Sequence, residues 1–210
     1  CAFFYSYHSF VAGYELSDVR KRFEYSSDAI SYIKHETCFY MNENYRQVIF
    51  NLNVNNDNPI HLDGKFYNEK EMFYHHIQAN DKTNLYFLSY SKLYLCFLFR
   101  KFDEALKWTE ETKKYLDGVP GLIGVLLFHF YDSLTRLALY SDSDLSERRK
   151  ILKRVAANQK KLKKWARHAP MNHRHKYLLV EAERMRVLGK KNKAAALYDL
   201  AIQLAADNEY

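Results

Sequence analysis

The chain has 210 residues, 48% of them hydrophobic, which is ample for a core, and its three cysteines, an odd count with no close CxxC pair, make no disulfide framework evident. Its formal net charge is +7, so an acidic or polyanionic partner stays open, whereas no stretch reaches the roughly 18 uninterrupted apolar residues of a membrane span. Six glycines and three prolines are too few for a many-stranded fold with a turn about every ten residues, so an all-α class is expected.

The predicted elements form five helix pairs, about ten helices in all. Breaks fall at Gly13-Tyr14, at 55–59, at Arg100-Lys101, at Ser141-Asp142 and at Gly189-Lys190, at intervals of roughly 45 residues, near the period of helical repeats. The first pair spans 1–12 and 16–34, with Ser17 as the expected N-cap of its second helix. Phe3, Phe4, Tyr5, Tyr7, Phe10 and Tyr14 run nearly all round its first helix, which predicts burial on both flanks and offers a route to self-association. The second pair spans 36–53 and 68–79. The loop between them, over 54–67 with Pro59 and Gly64, is longer than an ordinary helix–helix connection, and is either a functional excursion or a local departure from the repeat.

The third pair spans 82–99 and 102–116, where Phe102-Asp103-Glu104-Ala105 resembles the entry to the second helix of a tetratricopeptide repeat. The fourth spans 120–140 and 145–168. The fifth spans 171–188 and 191–206, with Pro170 just inside a helix start. Around Gly189, Leu178, Ala182, Met185 and Leu188 repeat on one side and Ala194, Leu197, Tyr198, Ala201 and Leu204 on the other, both at helical spacing. Such hairpins bury their apolar stripes by stacking on neighbours, so the expected architecture is an α-α superhelix of tetratricopeptide-like hairpins, one helical-repeat domain over 1–210. The last pair ends without a cap and the chain lacks an initiator Met, which together suggest a fragment of a larger multidomain protein.

Catalytic constellations are not evident. No GxxxxGK[ST] loop or His-Arg-Asp signature occurs, and Gly121 and Gly124 lack the preceding strand and following Lys of a phosphate loop. His168, His173 and His175 cluster round Pro170, but helical spacing splays His173 from His175 and no Cys or carboxylate lies nearby, so they read as surface or helix-start histidines. His75-His76 with Glu69 and Glu71, and His35-Glu36 with Cys38, read as polar faces of packed helices rather than acid–base or nucleophilic pairs. No catalytic residue, cofactor or metal is expected, and a reducing cytoplasm is the simplest compartment.

The most testable polar feature is a basic tract. From Arg148 to Lys176 twelve basic residues meet no Asp or Glu, more than the net charge of the whole chain. On a helix, Leu152, Val155, Leu162 and Ala166 make a narrow apolar stripe and leave Arg149, Lys153, Lys160, Lys164 and Arg167 outside it. With His173 and His175 these form the candidate interaction surface. It reads as a solvated face, or as a surface for nucleic acid or an acidic partner with salt-sensitive affinity; Trp165 is expected to be packed rather than stacked on bases.

Longer phrases carry a resemblance. Phe128-His129-Phe130-Tyr131-Asp132-Ser133-Leu134, Ala156-Ala157-Asn158-Gln159-Lys160-Lys161, Trp165-Ala166-Arg167-His168-Ala169-Pro170-Met171-Asn172 and His175-Lys176-Tyr177-Leu178-Leu179-Val180-Glu181-Ala182-Glu183-Arg184 resemble the helical region of very large bacterial signalling multi-kinases, best known from cyanobacteria. Tyr45-Arg46-Gln47-Val48, Gln78-Ala79-Asn80-Asp81 and Tyr115-Leu116-Asp117-Gly118-Val119 add to it. The resemblance implies a non-catalytic scaffold and regulatory relay. A serine/threonine kinase-like domain and an AAA-type ATPase would precede it, and GAF-type sensors and a histidine kinase would follow, all of them candidate partners. The Asn-rich stretch 51–58 and the especially basic fourth pair depart from that family pattern.

Overall fold

The structure, a computed structural model, describes residues 2–53 and 58–210; positions 54–57 of the predicted loop lie outside the described residues. Ten α-helices follow one another: α1 (Ala2–Val11), α2 (Leu16–Ile33), α3 (Glu36–Asn53), α4 (Glu69–Gln78), α5 (Lys82–Leu98), α6 (Phe102–Lys113), α7 (Ile123–Ala138), α8 (Leu145–His168), α9 (Pro170–Val187) and α10 (Lys191–Asp207), with a 3-10 turn at Leu116–Gly118. Among the described residues the only β pairing is one isolated bridge between Asp63 and Asn68, so the chain is all-α. No described helix is long and apolar enough to cross a membrane.

Three of the predicted breaks, at Gly13, Arg100 and Gly189, are helix ends with a geometry that the end of α4 shares, whereas Ser141-Asp142 follows a right-handed end of α7 at Leu139. After α1, α4, α5 and α9, a residue in the left-handed region (Gly13, Asn80, Arg100 or Gly189) donates to the carbonyl three residues back. The next amide then reaches five residues back, as in Lys190 N to Met185 O at 3.0 Å and Lys101 N to Cys96 O at 2.8 Å. These paired bonds satisfy carbonyls that a helix end leaves open and turn the chain sharply. Helix starts use short polar side chains: Asn68 accepts from the Lys70 and Glu71 amides, Asp81 from Asn84 and Asp144 from Glu147. Ser17 is not a cap. The helix begins one residue earlier, after Glu15, and Ser17 Oγ instead donates to Glu15 Oε1 at 2.8 Å.

The described residues divide into two compact units, Cys1–Lys101 with Lys107–Pro120, and Phe102–Leu106 with Gly121–Tyr210. In the first, Phe3, Tyr7, Phe23, Tyr45 and Phe87 are all buried and pack ring on ring, with Phe23 stacked on Tyr45 at 5.8 Å and Phe87 edge-on to Phe3 at 5.4 Å. This cluster ties α1, α2, α3 and α5 together, each ring stabilising by about 1.5–3 kcal/mol through burial. The aromatic girdle of α1 is nevertheless one-sided. Tyr5 and Tyr14 stay exposed, with the Arg22 guanidinium over their rings at 4.9 and 5.1 Å.

In the second unit α8 packs on α7 and α9, α7 also reaches α9, and α10 covers α9. Ala182, Ala194 and Ala201 are buried, and their small side chains let α9 and α10 approach closely. The stripe predicted through Leu188 stops at Met185, since Leu188 lies at the helix end and is 37% exposed. On the outer side of α10, Leu200 and Ile202 are exposed.

Candidate functional site

Helix α8 separates its two faces sharply. Ile151, Val155, Leu162 and Ala166 are buried, with Asn158 and Gln159 between them; Ile151 rather than the predicted Leu152 anchors the N-terminal end. At 100° per residue, Arg149, Lys153, Lys160, Lys163, Lys164 and Arg167 fall in one sector of about 100° on the opposite side, spread along about 27 Å of helix. All six are exposed, and none has an ion pair or hydrogen bond among the described residues.

Of the remaining cations of the tract, Arg174 is exposed without an ion pair or hydrogen bond among the described residues, and the others are engaged. Arg154 Nε donates to Asp132 at 2.7 Å, Arg148 to the carbonyls of Tyr140 and Ser141, and Lys150 pairs with Glu147. His173 and His175 do not join the stripe. His175 is only 9% exposed, lies under the Tyr210 ring at 4.4 Å and accepts from the Lys176 ammonium at 2.8 Å, while His173 is half-buried. The reason is periodicity: 175 precedes 178, 182 and 185 by helical steps and so belongs to the buried stripe of α9. Burial, with Lys176 and His173 beside it, lowers the His175 pKa to about 4, and burial alone lowers Lys176 to about 8.

Between α7 and α8 lies a polar network that local sequence reading does not reveal. Asp132 is fully buried and accepts from Arg136 Nε at 2.6 Å, Arg154 Nε at 2.7 Å and Asn158 Nδ2 at 2.7 Å. Burial alone would raise its pKa, but Arg136, the Asn158 amide and Arg154 reverse that and hold it below the usual carboxylate value. Because the Asn158 amide nitrogen faces Asp132, its oxygen is left to accept from His129 Nδ1 at 3.0 Å. His129 therefore carries its proton on Nδ1, and Nε2 accepts from Lys161 at 3.1 Å. Burial and the Lys161 charge lower the His129 pKa to about 4, so the ring is neutral near pH 7, and Trp165 is stacked on it at 5.9 Å. Between α8 and α9, Gln159 Nε2 donates to Tyr177 O at 3.2 Å and Glu181 at 3.1 Å. Apart from Gln159 Oε1, which is buried without a hydrogen bond among the described residues, these groups are occupied by one another. The arrangement fixes which turn of each helix faces which, and presents no nucleophile to solvent.

In the first unit the excursion before α4 is built around a buried lysine. Lys92 is 3% exposed and donates to Ile60 O and Glu69 Oε2, both at 2.6 Å, and Glu69 Oε2 also accepts from Leu62 N at 2.8 Å. Asn51 Nδ2 holds the carbonyls of Pro59 and His61, and Gln47 Oε1 accepts from Phe66 N at 3.0 Å. Gly64 lies so close to Gln47 that an added Cβ would stand 2.5 Å from its Nε2. His61, Asp63 and Glu69 bring three ligand-type atoms within 4.8 Å of one another. Glu69, however, already carries the Lys92 ammonium, which neutralises the charge a divalent cation would need.

The paired histidines of α4 separate as well. His75 is exposed, whereas His76 is fully buried and meets the Tyr67 hydroxyl at 3.0 Å, so the polar-face expectation fails for His76. Burial lowers its pKa to about 4. His35 Nδ1 accepts the Cys38 amide at 3.3 Å, a helix-start contact, and burial raises the Cys38 thiol pKa. No family model, curated protein or solved structure matches this chain.

Proposed function

We propose that this chain is a non-catalytic helical-repeat scaffold and relay within a bacterial, cytoplasmic signal-transduction multi-kinase, binding other domains of its parent protein through exposed helix faces. The observation that carries this reading is spatial. Phrases far apart in sequence, which resemble that family, meet in one seam: His129, Asp132 and Ser133 bond to Asn158 and Lys161, and Gln159 to Tyr177 and Glu181. Wording that looks arbitrary along the chain thus has a packing role, and the available chemistry is displaced to the surface. On this reading the kinase, ATPase and sensor activities belong to other domains, and the scaffold passes rigid-body displacement between them. Two tests bear on it. The reading frame around this chain should encode kinase-like and sensor domains, and at least one of them, produced separately, should bind the chain saturably. A frame without such domains removes the multi-kinase assignment, and failure of every encoded domain to bind removes the scaffold.

A second reading is favoured by the α8 stripe alone: a polyanion surface that tracks phosphates. Contact with six phosphates gives a log–log salt slope of about −5 on duplex DNA. Flat salt dependence, or binding unaltered by charge reversal at Lys153, Lys160 and Lys164, eliminates it.

A further inference from the structure

We propose that the cavity between α2, α3 and the 58–68 excursion binds a small aromatic carboxylate. The cavity measures about 160 Å³, close to the size of engineered cavities that hold benzene. Its apolar walls are Phe23, Ile49, Phe50 and Phe66, and its charged rim is Arg20, Glu24, Arg46 and Lys65. Phe50 and Phe66 meet edge to face at 5.9 Å and 77°, so one wall of the cavity is aromatic.

The charges ask for an anion. Arg46 is answered by Glu43 at 2.8 Å, and Arg20 reaches Glu24 only at 3.8 Å, both ends being about half exposed. Lys65 has no acidic partner among the described residues, so the rim holds one uncompensated positive charge. Arg46 is also incompletely used. Its Nη1 makes both of its hydrogen bonds, to Ser27 and Glu43, while Nε is buried without an acceptor. Nη2 has no hydrogen bond among the described residues and is the donor left for a carboxylate in the cavity. The Arg46 guanidinium lies over the Phe66 ring at 4.1 Å and the Lys65 ammonium at 5.3 Å, so the cations stand beside the aromatic wall, as in a ligand that joins ring and carboxylate.

The wall is held in place before any ligand arrives. Gln47 takes the Phe66 amide, donates to Asn51 at 2.8 Å and packs against Gly64 where no side chain fits. A site fixed by such bonds loses little entropy on binding. The excursion thus gains a role that goes beyond, and does not rest on, the scaffold reading.

The probe is benzoate, titrated into the whole chain and followed through the Phe66 amide and Gln47 side-chain amide resonances. Saturable shifts with a dissociation constant on the order of 1 mM are expected for so small a ligand. Benzamide, which keeps the ring, and acetate, which keeps the charge, should each bind at least tenfold more weakly. Lys65→Ala, at an exposed position, should weaken benzoate at least fivefold with an unchanged melting curve. Arg46→Lys, which keeps the charge and removes the guanidinium, should also weaken benzoate at least fivefold, with its melting curve recorded because Arg46 also holds Ser27 and Glu43. Absence of saturation, equal response to benzamide, or full binding by Lys65→Ala overturns the proposal.

Discussion

The excursion before α4 and the seam between α7 and α8 both bury an ion, and they use it in opposite ways. Lys92 is a buried cation whose partners are a backbone carbonyl and Glu69, so it fixes a loop. Asp132 is a buried anion whose partners are side chains on its own and the facing helix, so it fixes a helix register. A loop held through its backbone leaves side chains such as Lys65 and Phe66 to line a cavity. A helix pair locked through its side chains has little polarity left inside, and α8 carries its unpaired cations on the far side. Interior polarity here serves position, and exposed polarity is available for partners.

The comparison breaks most readily at Asp132. Asp132→Ala removes the acceptor that Arg136, Arg154 and Asn158 share and should destabilise the second unit by about 3–5 kcal/mol. Urea unfolding read from Trp165 alone, in a Trp108→Phe background, checks this. A loss confined to a few tenths of a kcal/mol would mean that the seam is not held by its ion.

Acid should act next, through the neutral histidine of the same network. His129 binds a proton at about 4 when folded, against an ordinary value of 6.5. The unfolded chain therefore takes up the proton first, and stability present above pH 6.5 is lost as the pH falls toward 4, by roughly 3 kcal/mol from this residue. His76 and His175 add in the same direction. His129→Gln should flatten the pH dependence of urea midpoints between pH 4 and 6.5, and an unchanged slope would contradict the assigned neutral Nδ1–H ring.

Lys92→Met should cost less than Asp132→Ala, about 2–3 kcal/mol, because Glu69 is 13% exposed and regains some water. Its effect belongs in the first unit, read from Trp108 in a Trp165→Phe background. The smallest effect is expected from reversing Lys153, Lys160 and Lys164 to Glu, within about 0.5 kcal/mol per site, since these side chains touch no partner inside the fold.

The helices were legible in the sequence because their ends are. Gly13, Arg100 and Gly189 mark left-handed ends where both apolar periodicity and hydrogen-bond geometry stop the helix. The basic stripe was legible too, since exposure follows from distance to an apolar stripe on a single helix. His175 is not, because the apolar periodicity of α9 begins at Leu178 and a polar side chain one helical step earlier carries no apolar signal. Lys92 interrupts the apolar run 85–99, and its burial depends on a carbonyl and a carboxylate 32 and 23 residues away in the chain. The Asp132 network joins residues more than twenty positions apart, beyond any local pattern. The cavity under the excursion needs α2, α3 and the loop in register, which no single segment encodes.

The central claim, that the interior of this chain sets position and its exposed cations bind, is tested most directly by one titration. Wild-type chain and the Lys153→Glu, Lys160→Glu, Lys164→Glu variant are each mixed with every domain encoded in the same reading frame, with melting curves recorded alongside. Saturable binding of at least one domain, weakened tenfold or more by the variant while the melting curves overlay, is the predicted result. Absence of binding by every domain, or binding equally strong in wild type and variant, would contradict it.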